Sequence, residues 1–205
     1  VVRLVGSEMC IRDRYISGII LFDETFHQSE LSSGMKFPEY LTSKNILPGI
    51  KVDQGLEDFS PYEKLTIGLD GLSERLEKYY SLGAKFAKWR AVITPGDSIP
   101  TDDCILANAK SLAKYAKKCQ QANLVPIVEP EVLMDGAHTI DESFDITSRT
   151  LNMVFDQLDE HNVSLQGIVL KPNMILSGYE CSYQASIEEV ACLLYTSDAA
   201  DDIPR

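Results

Sequence analysis

The sequence is poor in the features that mark several classes of protein. Basic residues are outnumbered, with 19 Lys and Arg against 31 Asp and Glu, and the formal net charge is −12. Because the phosphates of nucleic acids select basic surfaces, we expect no nucleic-acid partner. No apolar run approaches the roughly 18 residues of a membrane-spanning helix, so no membrane association is predicted either.

Cysteine and histidine are also few, at five and three residues. The cysteines show no CxxC or paired spacing, which favours a reduced, cytoplasmic environment. His27, His138 and His161 are scattered and form no HxH or HExxH motif, so we predict no metal site. No glycine-rich loop follows an apolar run, and this disfavours a dinucleotide cofactor.

The two ends of the chain are related at the level of DNA. If Glu8–Asp13 is reverse-translated, the complementary strand in a shifted frame encodes Cys192–Ser197. One stretch of DNA in both orientations resembles the inverted end of a transposon adapter used in sequencing, translated as protein. We therefore expect residues 1–14 and 192–205 to be adapter-derived, like a fusion scar, and residues 15–191 to be an internal segment of a longer protein.

Short apolar runs recur through residues 15–191. We interpret five of them as strands, namely Ile16–Phe22, Gly49–Val52, Phe86–Ile93, Leu124–Val128 and Gly167–Leu170. Their hydrophobicity is continuous rather than alternating, which indicates parallel strands that are covered on both faces.

Three helices are predicted between the later strands. The first covers residues 72–82, with Asp70 as its N-cap and Gly83 as its C-terminal glycine. The others cover residues 101–121 and 141–161, where apolar side chains recur at helical spacing.

The order of these elements limits the fold class. A strand and a helix that repeat about every forty residues are typical of a (β/α)8 barrel or a doubly wound sheet. The lack of a glycine-rich phosphate loop favours the barrel. Residues 57–64 form the least regular part and are expected to be a surface loop.

Charged residues fall at or near the C-terminal ends of four of the apolar runs. These residues are Lys51, Lys88, Arg90, Glu129, Glu131 and Lys171. In a (β/α)8 barrel the C-terminal ends of all strands converge on one mouth, so these side chains would share a small volume. Such a ring of amines and carboxylates indicates a catalytic site.

Lys171 carries the most specific chemistry. It follows the apolar Ile168–Leu170 and precedes Pro172, which restricts it to an extended backbone. Desolvation and a neighbouring cation such as Lys88 would favour the uncharged amine, whose lone pair can attack a carbonyl and form a Schiff base. The alternative is a lysine at a strand end that simply reaches solvent.

Glu129 precedes Pro130 and is expected where its strand stops. A carboxylate beside amines can move protons while a carbinolamine forms and breaks down. The alternative is a structural ion pair between Glu129 and Lys88.

Lys51 and Arg90 are cations near the same mouth and could hold the phosphate groups of a substrate. The alternative for either is a structural salt bridge to Asp53, Glu131 or another carboxylate. Trp89 is interpreted as core filling rather than a ligand platform.

Several longer segments carry a family resemblance. They are GIILFDETF, GIKVDQG, GLDGLSERLEKYYSLGAKFAKWRAV, LAKYAKKCQQANLVPIVEPEVLMDGAH and LQGIVLKPNMILSG. Together, in this order, they closely resemble class I fructose-bisphosphate aldolase. The resemblance implies a (β/α)8 TIM barrel and a lyase of glycolysis and gluconeogenesis.

The resemblance also implies a role for each of the catalytic candidates. Lys171 matches the strand-six lysine that forms the Schiff base with dihydroxyacetone phosphate. Glu129 matches the glutamate that handles protons in carbinolamine chemistry. Lys88 matches the strand-four lysine near the scissile bond.

Substrate contacts and partners are implied in the same way. Lys51 matches the strand-three lysine that helps to bind substrate, with Arg90 beside the site and Glu131 as its partner. The implied substrate is a sugar phosphate, and neither a metal nor an organic cofactor is required. Full-length members of the family are usually homo-oligomers, often tetramers. They are cytoplasmic, with the plastid as the alternative in a photosynthetic source.

The resemblance covers only the second to sixth strands of the family's barrel. We therefore expect this chain alone to be poorly soluble and inactive, because unpaired sheet edges would be exposed. Two competing functions stay open. A metal-dependent aldolase would need histidines or carboxylates that converge at strand ends, and a barrel kept as a scaffold would bind partners without turnover.

Overall fold

A parallel sheet of five strands forms the centre of the structure, a computed structural model that describes residues 16–197. Its strand order is β1-β2-β5-β6-β7, and a separate hairpin is made of β3 and β4. The strands are β1 (Gly18–Leu21), β2 (Leu47–Lys51), β3 (Leu56–Ser60), β4 (Glu63–Thr66), β5 (Phe86–Ile93), β6 (Val125–Val132) and β7 (Val169–Leu170).

Helices connect the strands of the sheet. They are α1 (Asp23–His27), α2 (Phe37–Ser43), α3 (Leu72–Ser81), α4 (Asp102–Gln121), α5 (Ile140–Glu160) and α6 (Ile187–Ser197). Sequential parallel strands joined by helical crossovers form part of a (β/α)8 barrel, so the predicted fold class is confirmed. Strands β1 and β7 are the edges of the sheet within residues 16–197.

The alternation of side chains along β5 separates the two faces of the sheet. Ala87, Trp89 and Ala91 are fully buried in the main hydrophobic core with residues of the helices, whereas Lys88 and Arg90 are only partly buried. Successive residues of a strand point to opposite faces. The apolar positions therefore face the helical layer, and the charged positions face the interior of the barrel.

The packing of Trp89 is as predicted. It is fully buried and stacks on Tyr115 of α4, with ring centroids 5.4 Å apart. The hydroxyl of Tyr115 donates a 2.7 Å hydrogen bond to the carbonyl oxygen of Ala87. This aromatic pair fixes α4 against β5 directly behind the charged interior face.

On the interior face, the ring of Phe86 occupies the space that a side chain at Gly49 would take. The two residues are paired in the β2–β5 register. A Cβ atom at position 49 would lie 2.2 Å from the Phe86 ring. A side chain at position 49 would therefore have to displace the Phe86 ring.

The expectation of a loop over residues 57–64 is wrong, because this region belongs to the β3–β4 hairpin. Strand β3 is largely exposed, so it has no apolar run to reveal it. In β4 the buried residues include Glu63 and Thr66, whose polar groups are satisfied by hydrogen bonds. The sequences of β3 and β4 therefore lack the regular alternation of apolar and polar residues that marks a half-buried strand.

Glu63 connects the hairpin to the start of α4. Its carboxylate accepts a 2.7 Å hydrogen bond from the backbone N–H of Thr101, the N-cap residue of α4, and another from the Ser60 hydroxyl. Burial acts to raise the pKa of Glu63, but the hydrogen bonds from Ser60 and Thr101 outweigh it and the pKa is lowered.

The three predicted helices are confirmed with small shifts at their ends. The N-cap of α3 is Gly71, with φ of 60°, rather than the predicted Asp70, and it makes no side-chain capping bond. Gly83 has φ of 101°, as expected for a glycine after the C-terminus of a helix. The N-cap of α5 is Thr139, which forms a capping box with Glu142.

The predicted adapter-derived segments fall mostly outside the described residues. Residues 1–14 and 198–205 are not among them. Residues 192–197 continue α6 beyond the predicted boundary at residue 191, so that boundary stays a prediction. Over residues 16–197, no helix is both long enough and apolar enough to cross a membrane.

Candidate active site

A buried carboxylate between two amines forms the centre of the candidate site. Glu129 accepts a 2.5 Å hydrogen bond from Lys171 Nζ through Oε1, and its Oε2 atom lies 2.8 Å from Lys88 Nζ. Two of the three predicted catalytic residues, Lys88 and Lys171, therefore contact the third, Glu129. The ion pair between Glu129 and Lys88, which was the structural alternative, is part of the same arrangement.

The register of the sheet produces this contact. Residues Arg90 and Glu129 are partners in the β5–β6 ladder, and Val128 pairs with Leu170 between β6 and β7. The residue after Leu170 is therefore level with Glu129, and the N–H of Lys171 donates to the carbonyl oxygen of Val128 at 2.9 Å. Because side chains alternate between faces, Lys88, Glu129 and Lys171 all point to the interior.

The strand that carries Glu129 is longer than predicted. Strand β6 continues to Val132, so Glu129 lies within it rather than at its end. Pro130 does not stop the strand, which continues in register with Ala91 and Val92 of β5. Both Glu129 and Glu131 are therefore held on a regular strand, and this fixes their directions more firmly than a loop would.

The two amines decide the ionisation of Glu129. Its side chain is 5% exposed, and burial acts to raise the pKa of the carboxyl group. The hydrogen bonds and charges of Lys171 and Lys88 outweigh burial, so the pKa of Glu129 lies below its usual value. Glu129 is thus a carboxylate at neutral pH, the form that can accept a proton.

Lys171 is more exposed than its sequence context suggested. Its side chain is 56% exposed, against 15% for Lys88. The physical reason is the position of β7, which is an edge strand and is paired with β6 alone. The expected desolvation of Lys171 is therefore not found in this chain, whereas its expected closeness to Lys88 and Glu129 is.

The three predicted binding residues flank this centre in two ion pairs. Lys51 is level with Lys88 in the β2–β5 register, and its amine lies 2.5 Å from Asp53. Arg90 forms an ion pair with Glu131. The salt bridges considered as alternatives for Lys51 and Arg90 are both present, and the two cations still lie on the charged face.

Two residues that support the site were not predicted. The hydroxyl of Thr66, in the hairpin, donates a 2.8 Å hydrogen bond to the carbonyl oxygen of Arg90. Asn173 accepts a 3.2 Å hydrogen bond from the N–H of Val132. Nothing in the sequence marks Thr66, whereas Asn173 could have been noticed as the residue that completes the Lys-Pro-Asn motif.

The histidines do not join the site. His138 is buried between β6 and α5, and burial lowers its pKa. His27 is paired with Asp23 on α1. In the described part of the chain, no group of three or more His, Cys, Asp or Glu side chains is arranged to hold a metal ion.

Comparison with known proteins identifies relatives of this chain. The family model for fructose-bisphosphate aldolase class-I matches residues 4–199. A probable fructose-bisphosphate aldolase class 1 of Xanthomonas axonopodis pv. citri is 55% identical over 179 residues, which are 86% of this chain and 53% of that protein. Fructose-bisphosphate aldolase 1 of Toxoplasma gondii is 50% identical over 182 residues, which are 87% of this chain and 50% of that protein.

A solved structure has the same fold. Fructose-bisphosphate aldolase from Plasmodium falciparum superimposes with a TM-score of 0.88 at 44% sequence identity, over 94% of this chain and 56% of that one. The present chain thus spans about half the length of the curated relatives that it matches.

Proposed function

Because the chain belongs to the class I fructose-bisphosphate aldolase family, we propose that the whole protein cleaves fructose 1,6-bisphosphate reversibly into dihydroxyacetone phosphate and glyceraldehyde 3-phosphate. The observation that carries this proposal is the buried Glu129 carboxylate held between the Lys171 and Lys88 amines. Such a group supplies a nucleophile, a proton carrier and a cation within one small volume.

Lys171 is the proposed nucleophile. Its amine loses a proton and attacks the C2 carbonyl of the ketose, and the resulting carbinolamine loses water to give a protonated imine. The imine nitrogen then takes the electron pair of the C3–C4 bond as that bond breaks, and the C4 hydroxyl loses its proton to release the aldehyde. The resulting enamine takes up a proton at C3, and water adds to the imine carbon and breaks its bond to Lys171, which releases dihydroxyacetone phosphate. The protein thus provides its own electron sink through a covalent intermediate.

Glu129 is the proposed proton carrier for these steps. As a carboxylate it can accept the proton that Lys171 loses on attack, and it can return that proton to the leaving hydroxyl of the carbinolamine. The 2.5 Å hydrogen bond between Glu129 and Lys171 supports this role, because proton transfer needs heavy atoms within hydrogen-bond reach.

The other cations are proposed to act on the charges of substrate and transition state. Lys88, whose side chain is largely buried, would stabilise negative charge that develops during bond cleavage. Lys51 and Arg90 would bind phosphate, with Glu131 orienting Arg90 through their ion pair. Lys51 would exchange its Asp53 partner for phosphate and so stay paired.

The same proposal covers the compartment, assembly and cofactors of the whole protein. We expect a cytoplasmic homo-oligomer, or a plastid protein if the source is photosynthetic, with no metal and no organic cofactor. The net charge of −12 agrees with a protein that has no nucleic-acid partner.

The proposal is tested by inhibitor selectivity in the full-length protein that contains this segment. Cleavage of fructose 1,6-bisphosphate should survive a strong metal chelator and should be lost after borohydride is added together with dihydroxyacetone phosphate. Borohydride without the ketose is the control and should leave activity unchanged. Activity that is lost to the chelator and survives borohydride with ketose would indicate a metal-dependent reaction instead.

A further inference from the structure

The backbone ladder that positions Lys171 is unusually short. Strand β7 contains two residues, and its last backbone hydrogen bond to β6 runs from the N–H of Lys171 to the carbonyl oxygen of Val128. The next residue, Pro172, has no N–H to continue the ladder. The backbone beyond Lys171 therefore needs another connection to remain against β6.

The side-chain amide of Asn173 makes that connection. Its Oδ1 atom accepts a 3.2 Å hydrogen bond from the N–H of Val132, the last residue of β6. Its Nδ2 atom donates to the hydroxyl of Thr147 in α5 at 3.3 Å and to the carbonyl oxygen of Met174 at 3.0 Å. One amide thus ties the segment after Lys171 to both β6 and the helix that follows β6.

These bonds bracket the Lys171–Glu129 pair. Val128 and Val132 lie on either side of Glu129 in β6, and they bond to Lys171 and Asn173 in the segment that follows β7. Within residues 16–197, the polar contact that holds the Lys171 side chain is its hydrogen bond to Glu129. The separation between the Lys171 amine and the Glu129 carboxylate therefore depends on where the backbone is held.

We propose that Asn173 is a positioning residue that keeps Lys171 within proton-transfer distance of Glu129. This inference rests on the proposed function, because it concerns the same amine and the same carboxylate. Loss of the amide bond to Val132 removes the hydrogen bond that links the residue after Pro172 to β6. The Lys171 amine then lies within hydrogen-bond distance of the Glu129 carboxylate less often, and formation of the imine slows.

Substitutions can separate the two connections, or arms, that the Asn173 amide makes, one to β6 and one to α5. Asn173→Ala removes both arms, whereas Thr147→Val removes only the bond to α5 and keeps the bond to β6. Asn173→Gln retains the same polar groups and moves them by one methylene, so it tests position without loss of polarity. Asn152→Ala changes an exposed asparagine on α5 and is the matched control.

The experiment measures the rate of borohydride trapping with dihydroxyacetone phosphate, kcat, KM and Tm in the full-length protein. We expect Asn173→Ala to slow trapping and lower kcat by roughly ten- to hundredfold, and Asn173→Gln by roughly fivefold or more, with little change in KM. Thr147→Val and Asn152→Ala should stay within about threefold of wild type.

The outcomes separate this inference from the proposed function. If Asn173→Ala does not fold, the result for Asn173→Gln decides. A folded Asn173 variant that is trapped as fast as wild type, with only a lower Tm, would overturn the positioning role while the Schiff-base proposal stands. Wild-type protein that is not trapped would overturn the proposed function itself.

Discussion

Lys171 donates a 2.5 Å hydrogen bond to Glu129, so the most exposed amine of the site is held by its most deeply buried carboxylate. The pair bridges β6 and β7, and Lys88 reaches the same carboxylate from β5. Side chains on or directly after three adjacent strands thus come together at the Glu129 carboxylate. Glu129 is therefore the residue on which both the charge balance and the proposed proton transfers depend.

Replacement of Glu129 by glutamine should remove the proton carrier while retaining its shape. We expect kcat of the full-length enzyme to fall by about 10²- to 10⁴-fold, because general acid–base catalysis contributes about this much. The measurement is steady-state cleavage of fructose 1,6-bisphosphate. Glu77→Gln, an exposed carboxylate on α3, is the control and should leave kcat unchanged. A Glu129→Gln enzyme with kcat within threefold of wild type would remove Glu129 from the mechanism.

Replacement of Lys88 by methionine should change the pH profile as well as the rate. Lys88 is one of the groups that lower the pKa of Glu129, so its loss raises that pKa. The acidic limb of the kcat profile should move to higher pH, and kcat should fall by about 10²-fold through loss of charge stabilisation. Lys110→Met, an exposed lysine on α4, is the control. An unchanged acidic limb would show that Lys88 does not tune Glu129.

The buried Glu63 predicts a pH-dependent contribution to stability. Its pKa in the folded state is lowered from the ordinary value of 4.5, so its contribution is complete above pH 4.5 and is lost as pH falls below that value. Glu63→Gln should cost about 1–3 kcal/mol at pH 7 through loss of charge-assisted hydrogen bonds. The difference between variant and wild type should shrink on acidification.

Urea midpoints at pH 7, 5 and 4 measure this effect. Glu77→Gln serves again as the exposed control, and it should not change the midpoint at any of these pH values. A difference between Glu63→Gln and wild type that stays constant from pH 7 to pH 4 would contradict the assignment of the lowered pKa to Glu63.

Gly49 should be intolerant of even a single methyl group. A Cβ atom there would lie 2.2 Å from the Phe86 ring, so Gly49→Ala must displace the ring and should destabilise by about 1–3 kcal/mol. Thermal or urea unfolding measures the loss. The double variant Gly49→Ala with Phe86→Leu should recover part of it, because the smaller side chain makes room. No recovery would mean that the ring is not the obstacle.

The convergence of Lys88, Glu129 and Lys171 could be predicted from the sequence because two simple rules act together. A charge inside an apolar run must face the wet side of its strand, and parallel strands of a barrel bring such positions to one mouth. Neither rule needs knowledge of loops. The same rules do not specify partners, which is why the ion pairs of Lys51 and Arg90 stayed alternatives until the structure showed them.

Features that depend on individual side-chain bonds were not predictable in this way. The β3–β4 hairpin was missed because Glu63 and Thr66, which are polar, occupy its buried positions. The N-cap of α3 was misplaced because Gly71 adopts a left-handed conformation that needs no capping side chain. The brevity of β7 was missed because a 3₁₀ turn over Leu165–Gly167 includes the first residue of the apolar run, so that the strand begins only at Val169.

The most direct test of the central claim is peptide mapping after reductive trapping. Full-length protein is incubated with dihydroxyacetone phosphate and borohydride, digested, and analysed by mass spectrometry. Attack by the Lys171 amine on the ketone, loss of water and addition of hydride to the imine would leave a stable secondary amine on the peptide that contains Lys171. We expect modification there in wild-type protein and none in a Lys171→Arg variant. A Lys171 peptide that stays unmodified in wild-type protein, while borohydride with the ketose abolishes activity, would contradict it.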